Sequence, residues 1–166
     1  MGESSRDSLE SDAPVPLIFE EAASPASPDQ IAIAERELRV TLPAGYREFL
    51  ERHNGGYLVG ASFAGEFTVE RFFSAGKSLV EELEDLVSVR ATYSGPRSDH
   101  ALPEFLLPIG ADPFGNLVCV SVSEGEAGTV YFWNHEIADP NDAYRSLGVD
   151  FGRFVECLSG GRDETT

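Results

Sequence analysis

Residues 27–56 read SPDQIAIAERELRVTLPAGYREFLERHNGG, and this stretch decides the fold. Ser27-Pro28-Asp29 is a helix start: the hydroxyl caps free amides, proline suits the first turn, and the carboxylate meets the positive helix end. Ile31, Ala34 and Leu38 then recur at helical spacing, with Glu35, Arg36, Glu37 and Arg39 between them. The spacing predicts a helix ending near Arg39, followed by extended Val40-Thr41-Leu42, because Leu42 precedes a proline. Pro43 opens a second helix that sets Tyr46, Phe49, Leu50 and His53 on one face. Asn54-Gly55-Gly56 ends it with residues that tolerate the left-handed conformation. The stretch is a punctuated helix pair.

Around that pair the period changes. Upstream, the leader to about residue 13 is Ser, Glu and Asp with almost nothing to bury, a composition expected to stay disordered. The apolar run Val15-Pro16-Leu17-Ile18-Phe19 is expected at an edge or in an irregular segment, since Pro16 lacks an amide hydrogen. Glu20 to Pro28 reads as loop. Downstream, Tyr57 to Phe63 and Phe67 to Phe73 are rich in aromatic and β-branched residues, which predicts two strands joined at Ala64-Gly65-Glu66. Ser78 is expected to cap a third helix through Leu79, Leu83, Leu86, Val87 and Arg90, with Glu81, Glu82, Glu84 and Asp85 as its solvated face. Short apolar strands follow at Phe105 to Ile109, Leu117 to Val122 and Thr129 to Trp133, and Asn134 to Asp142 is a polar loop. Asp150 to Leu158 reads as a last helix. Helices, strands, helix, strands, helix is the order of an α+β domain, with a largely antiparallel twisted sheet packed against several helices.

A chain of 166 residues suits one domain, here residues 15–160 between a leader at 1–14 and a tail at 161–166. Twelve basic residues against 29 acidic ones leave a formal charge of −17. Such a surface repels phosphates and anionic lipid, which disfavours nucleic acid and membrane as partners and fits either a cationic partner or merely high solubility. The amino terminus lacks a signal peptide's basic start and apolar core, and no apolar run reaches the length of a membrane helix, so the expected location is cytoplasmic. Cys119 and Cys157 sit in apolar settings and read as small core residues kept reduced.

Enzyme chemistry finds little purchase. His53 lies beside a helix end, His100 follows Asp99 in a loop, and His135 precedes Glu136; without a nucleophile motif they read as surface or cap histidines. His135, Glu136 and Asp139 match no metal-ligand spacing. Gly110 to Gly115 lacks the lysine and helix of a phosphate loop and reads as a turn before a strand. A small hydrolase using Asp99, His100 or His135 ranks last.

Three blocks in order carry a resemblance. Ile31 to Gly56 holds a Glu-bearing helix, Leu42-Pro43-Ala44-Gly45-Tyr46, Phe49-Leu50 and Asn54-Gly55-Gly56. Leu107-Pro108-Ile109-Gly110, Asp112, Phe114-Gly115-Asn116 and Val130 to Glu136 form the second block, and Phe151 to Leu158 the third. The chain thereby resembles the SMI1/KNR4 (SUKH) superfamily over roughly Pro28 to Leu158, although Val149-Asp150 stands where the pattern has Ser before the last Phe. The resemblance implies a non-catalytic binding protein without cofactor or metal. Bacterial members are mostly immunity proteins that neutralise toxins, often nucleases; the alternative is a regulatory or scaffolding module in signalling or cell-wall control, as in fungal members. For a cationic partner, by that resemblance a cognate toxin domain, the expected surface comprises Glu66, Asp112, Glu136 and Asp139, with Tyr57, Phe114 and Trp133 as apolar anchors.

Overall fold

Ser27 caps the first helix as its chemistry requires: its hydroxyl accepts the Gln30 amide at 3.1 Å, and the Gln30 side chain accepts the Ser27 amide at 2.9 Å. This reciprocal box satisfies two of the amides that a helix start leaves free. The computed structural model describes residues 17–94 and 102–159. The leader and tail, and the loop residues Asp99 and His100, lie outside the described residues.

The described elements are β1 (Phe19–Ala22), α1 (Pro28–Leu38), α2 (Ala44–Arg52), β2 (Gly56–Phe63), β3 (Phe67–Phe72), α3 (Leu86–Thr92), β4 (Leu106–Ala111), β5 (Leu117–Ser121), β6 (Thr129–Trp133), β7 (Tyr144–Asp150), α4 (Phe151–Cys157) and β8 (Leu158–Ser159). Strands β1 to β7 pair in sequence order, each antiparallel to the next, and β8 adds antiparallel to β2. The domain is α+β, a meander sheet with four helices.

Helix α1 is tied to α2 by one carboxylate. Glu35 accepts the Leu42 amide at 2.8 Å and Arg47 Nη2 at 2.7 Å, so the charge sits on the sharp turn between the helices. Tyr46, Phe49 and Leu50 of α2 are buried, as the spacing predicts. Their floor is aromatic: Phe49 meets Phe72 of β3 at 5.2 Å and Phe151 of α4 at 5.0 Å, both edge-on. Gly55 shows why the helix exit is glycine. Its φ is 91°, and a Cβ there would stand 2.7 Å from the Phe72 carbonyl oxygen.

The sheet curls. Strands β3 and β6 are three spacings apart, about 14 Å in a flat sheet, yet the rings of Phe67 and Phe132 stack at 4.2 Å. Phe154 of α4 lies 5.1 Å from Phe63 and 6.5 Å from Phe67, filling the hollow. Among the described residues no helix is long and apolar enough to cross a membrane.

Four expectations need correction. The third helix begins at Leu86, not Ser78. Ser78 accepts only the Val80 amide, a local turn, and Glu82 stands at φ 61°. The cap is Asp85, which accepts the Ser88 amide at 3.0 Å and is pinned to Ser74 by a parallel bridge. Leu79, expected in the core, is fully exposed. Next, Glu84 is not a solvated face residue: its carboxylate receives Arg71 Nε at 2.8 Å and Nη2 at 3.0 Å. Third, Glu20 to Ala22, read as loop, belongs to β1, whose partner β2 supplies the ladder. Last, the structure adds β7 over residues to which the sequence pattern assigns no element, Asp150 of the expected last helix excepted. Its half-buried, half-exposed pattern carries a bulge against β6, which breaks strict alternation and hides the strand signal.

Candidate functional site

An antiparallel meander sends alternate connections to opposite ends of the sheet. The β2–β3 hairpin, the β4–β5 turn and the β6–β7 loop therefore share one end. Five of the seven expected surface residues fall there: Glu66 on the hairpin, Asp112 and Phe114 on the turn, Glu136 and Asp139 on the long loop.

The turn is built on Asp112. Only 3% exposed, its carboxylate is consumed internally: Oδ1 accepts the amides of Phe114 at 2.9 Å and Asn116 at 2.8 Å, and Oδ2 accepts Asn116 Nδ2 at 2.9 Å. Burying a charge is tolerated when its lone pairs are matched in this way. Asn116 Oδ1 faces outward to the next loop, accepting the His135 amide at 3.1 Å and lying 2.8 Å from His135 Nδ1. The orientation follows from chemistry: a carboxylate only accepts and a backbone amide only donates, so the Asn116 amide nitrogen must face Asp112. His135 Nδ1 then carries a proton, and a neutral ring keeps Nε2 as an acceptor. Gly115, at φ 92°, allows the approach; a Cβ there would meet His135 Cε1 at 3.3 Å. Two loops are thus locked together by one carboxamide.

On this rigid base Phe114 stands 75% exposed, an unusual setting for a phenyl ring. Glu136, Asp139 and Asp142 are exposed on the neighbouring loop together with Ile137. Glu136 and Asp139 leave their carboxylates mostly to solvent, with the Asp139 side chain accepting only the Asn141 amide among the described contacts, at 3.0 Å. Glu66 differs, since it pairs with Arg145 of β7, whose guanidinium lies 5.9 Å from the Phe132 ring centre.

Tyr57 and Trp133 are placed elsewhere. The register strings Tyr57, Arg71, Ala111, Leu117, Trp133 and Tyr144 into a single row across the sheet, and directly paired residues share a face. The segment leading into α3 covers that face. Tyr57 donates its hydroxyl to the Glu82 carbonyl at 3.3 Å, and burial first, then the nearby acids, push its pKa up against the pull of Arg71. Trp133 is 3% exposed, with Tyr93 of the α3 C-cap edge-on at 5.5 Å. Trp133 is thus buried and Tyr57 half-buried under that cover. Asn116, Ile137 and Asp142 are the site residues that the sequence pattern does not single out; the Asp-x-x-x-Asn spacing of a tight turn is the available signal for the first.

For covalent chemistry the described residues offer little. Cys119 is fully buried and burial pushes its thiol well above the ordinary range, so it stays a protonated core residue. Both cysteines are free, Cys157 being half-buried. Among the described residues no group of three or more His, Cys, Asp or Glu could hold a metal ion.

The meander with its helix pair and rim of loops defines a small α+β domain whose distinguishing surface is that rim. Residues 25–157 match the SMI1 / KNR4 family (SUKH-1), and the chain belongs to that family. It is also similar to the SPbeta prophage-derived uncharacterized protein YokK of Bacillus subtilis (strain 168), 23% identical over 148 residues that cover 78% of this chain and 73% of the relative.

Proposed function

We propose that this protein is a non-catalytic immunity-type binding protein, which neutralises a cationic toxin domain by occupying its basic surface with the loop end of the sheet. The observation that carries this reading is the convergence of exposed Phe114 with Glu136, Asp139 and Asp142 on one end, over a base fixed by Asp112 and Asn116. A toxin that cuts nucleic acid needs a cationic cleft, and a chain of net charge −17 offers that cleft a substitute for phosphate. The division of labour follows interface energetics. A central aromatic contributes through desolvated contact and governs dissociation, whereas rim acids steer encounter and raise the on-rate. Asp112 holds the anchor in place; it does not itself steer.

The test is association kinetics with the protein encoded by the adjacent reading frame, co-expressed and purified. Glu136→Gln with Asp139→Asn should lower the on-rate several-fold at low salt and flatten its salt dependence. Phe114→Ala should instead raise the off-rate, by ten-fold or more. Unchanged rates in all variants would refute the assigned surface, and catalytic turnover by the purified chain would refute the non-catalytic reading.

A further inference from the structure

The loop end holds a polar group whose use the rim acids do not explain. His135 is half-buried at the start of the β6–β7 loop, and its ring is fixed from three directions. The backbone amide and ring Nδ1 both donate to Asn116 Oδ1, at 3.1 and 2.8 Å. The ring of buried Trp133 lies 6.3 Å away, tilted by 41°. Gly115 leaves room on the remaining side, where a Cβ would stand 3.3 Å from Cε1 and 3.8 Å from Nε2. Asp112 decides which end of the Asn116 carboxamide faces His135, and thereby decides the tautomer of the neutral ring. The proton sits on Nδ1 and the lone pair on Nε2. Among the described residues no hydrogen bond reaches Nε2, and the side-chain polar atoms sealed from solvent without a partner are the Tyr46 hydroxyl and Arg90 Nη1. Nε2 is therefore an acceptor open to solvent.

Such an acceptor recognises something the carboxylates cannot. Rim acids attract any cation and mainly speed encounter. An imidazole nitrogen holds one lone pair in the plane of a fixed ring, so it rewards an N–H at one place and from one direction. Holding the ring beforehand lowers the ordering cost of that bond. A surface that covers Nε2 without offering a donor leaves it desolvated and unpaired, which penalises the wrong partner. The ring lies against Gly115, the chain neighbour of exposed Phe114, so the acceptor stands next to the aromatic anchor. We propose that His135 Nε2 is the specificity-determining acceptor of the loop end, taking a hydrogen bond from an arginine or lysine side chain of the partner. The inference rests on reading that end as the surface that meets a cationic protein.

Two measurements test it. In the free protein, long-range proton–nitrogen NMR correlation in mildly alkaline buffer should show the His135 ring protonated on Nδ1 and bare on Nε2. A ring protonated on Nε2 overturns the proposal. The second measurement is dissociation from the co-expressed product of the adjacent reading frame. His135→Asn keeps a donor where Nδ1 stands and removes the distal acceptor, whereas His135→Gln removes that donor and keeps an acceptor near Nε2. His135→Asn should raise the off-rate about ten-fold, and His135→Gln should raise it less. The reverse order, or parent-like rates in both variants, overturns the proposal and leaves His135 a strut for Asn116 while the binding reading stands. Failure of the parent itself to associate refutes the binding reading, and this inference with it.

Discussion

Asn116 grips His135 twice, taking its backbone amide at 3.1 Å and lying 2.8 Å from its ring Nδ1. The same carboxamide feeds the buried Asp112 carboxylate from its other end. Asn116→Ala is expected to cost about 1–3 kcal/mol, because it strips a donor from a buried carboxylate and an acceptor from an amide. Urea unfolding measures this; a midpoint matching the parent would show that the two loops are not coupled through this side chain.

Glu35 gives the helix pair an acid-sensitive tie. Burial raises its pKa, but the Arg47 hydrogen bond, the Leu42 amide and the Arg47 charge together outweigh that and hold it below 4.5. A carboxyl depressed on folding adds stability that is complete above its unfolded value and is lost as pH falls through the folded one. Stability should therefore decline below about pH 4.5, and Glu35→Ala should remove part of that slope while costing about 1–2 kcal/mol at neutral pH. Glu84 contributes in the same direction, since the Arg71 bonds overcome its burial. Unfolding titrations at several pH values separate the two.

His53 acts with the opposite group type. Burial, and then the Arg52 charge, lower its pKa below 6.5. The unfolded chain thus binds a proton first, and stability rises with pH through that window and falls on acidification below 6.5. His53→Phe keeps a ring against Phe19 and Phe49 and should flatten the dependence between roughly pH 5 and 7. Equal slopes in parent and variant would exclude His53 as the cause.

Thiol labelling distinguishes the two cysteines. A disulfide reagent at neutral pH should modify Cys157 and spare Cys119 in the native protein, and reach both in denaturant. Mass spectrometry reads the count; native labelling of Cys119 would show that the β5 strand opens readily.

Helix caps and glycine exits were legible because their signals are local. Ser27-Pro28-Asp29 and Asn54-Gly55-Gly56 carry their own hydrogen-bond and φ requirements. The third helix differs from its pattern because apolar spacing at Leu79 and Leu83 competes with a tertiary tie: Ser74 holds Asp85 and fixes the start seven residues later than the pattern suggests. At the rim, residue type points to Phe114, Glu136 and Asp139, which the structure leaves exposed, but type does not report burial. Asp112 and Glu136 look alike in a sequence, and only the turn's amides reveal that one is internal. Trp133 was a binding anchor by type and a packed ring by position.

Each turn at the rim joins strands that already lie side by side. Extra residues there would lengthen a loop without making any strand change its neighbour, and closing a loop twice as long costs only about 0.6 kcal/mol. Length changes in these three connections are therefore expected to leave the order of the strands as it is.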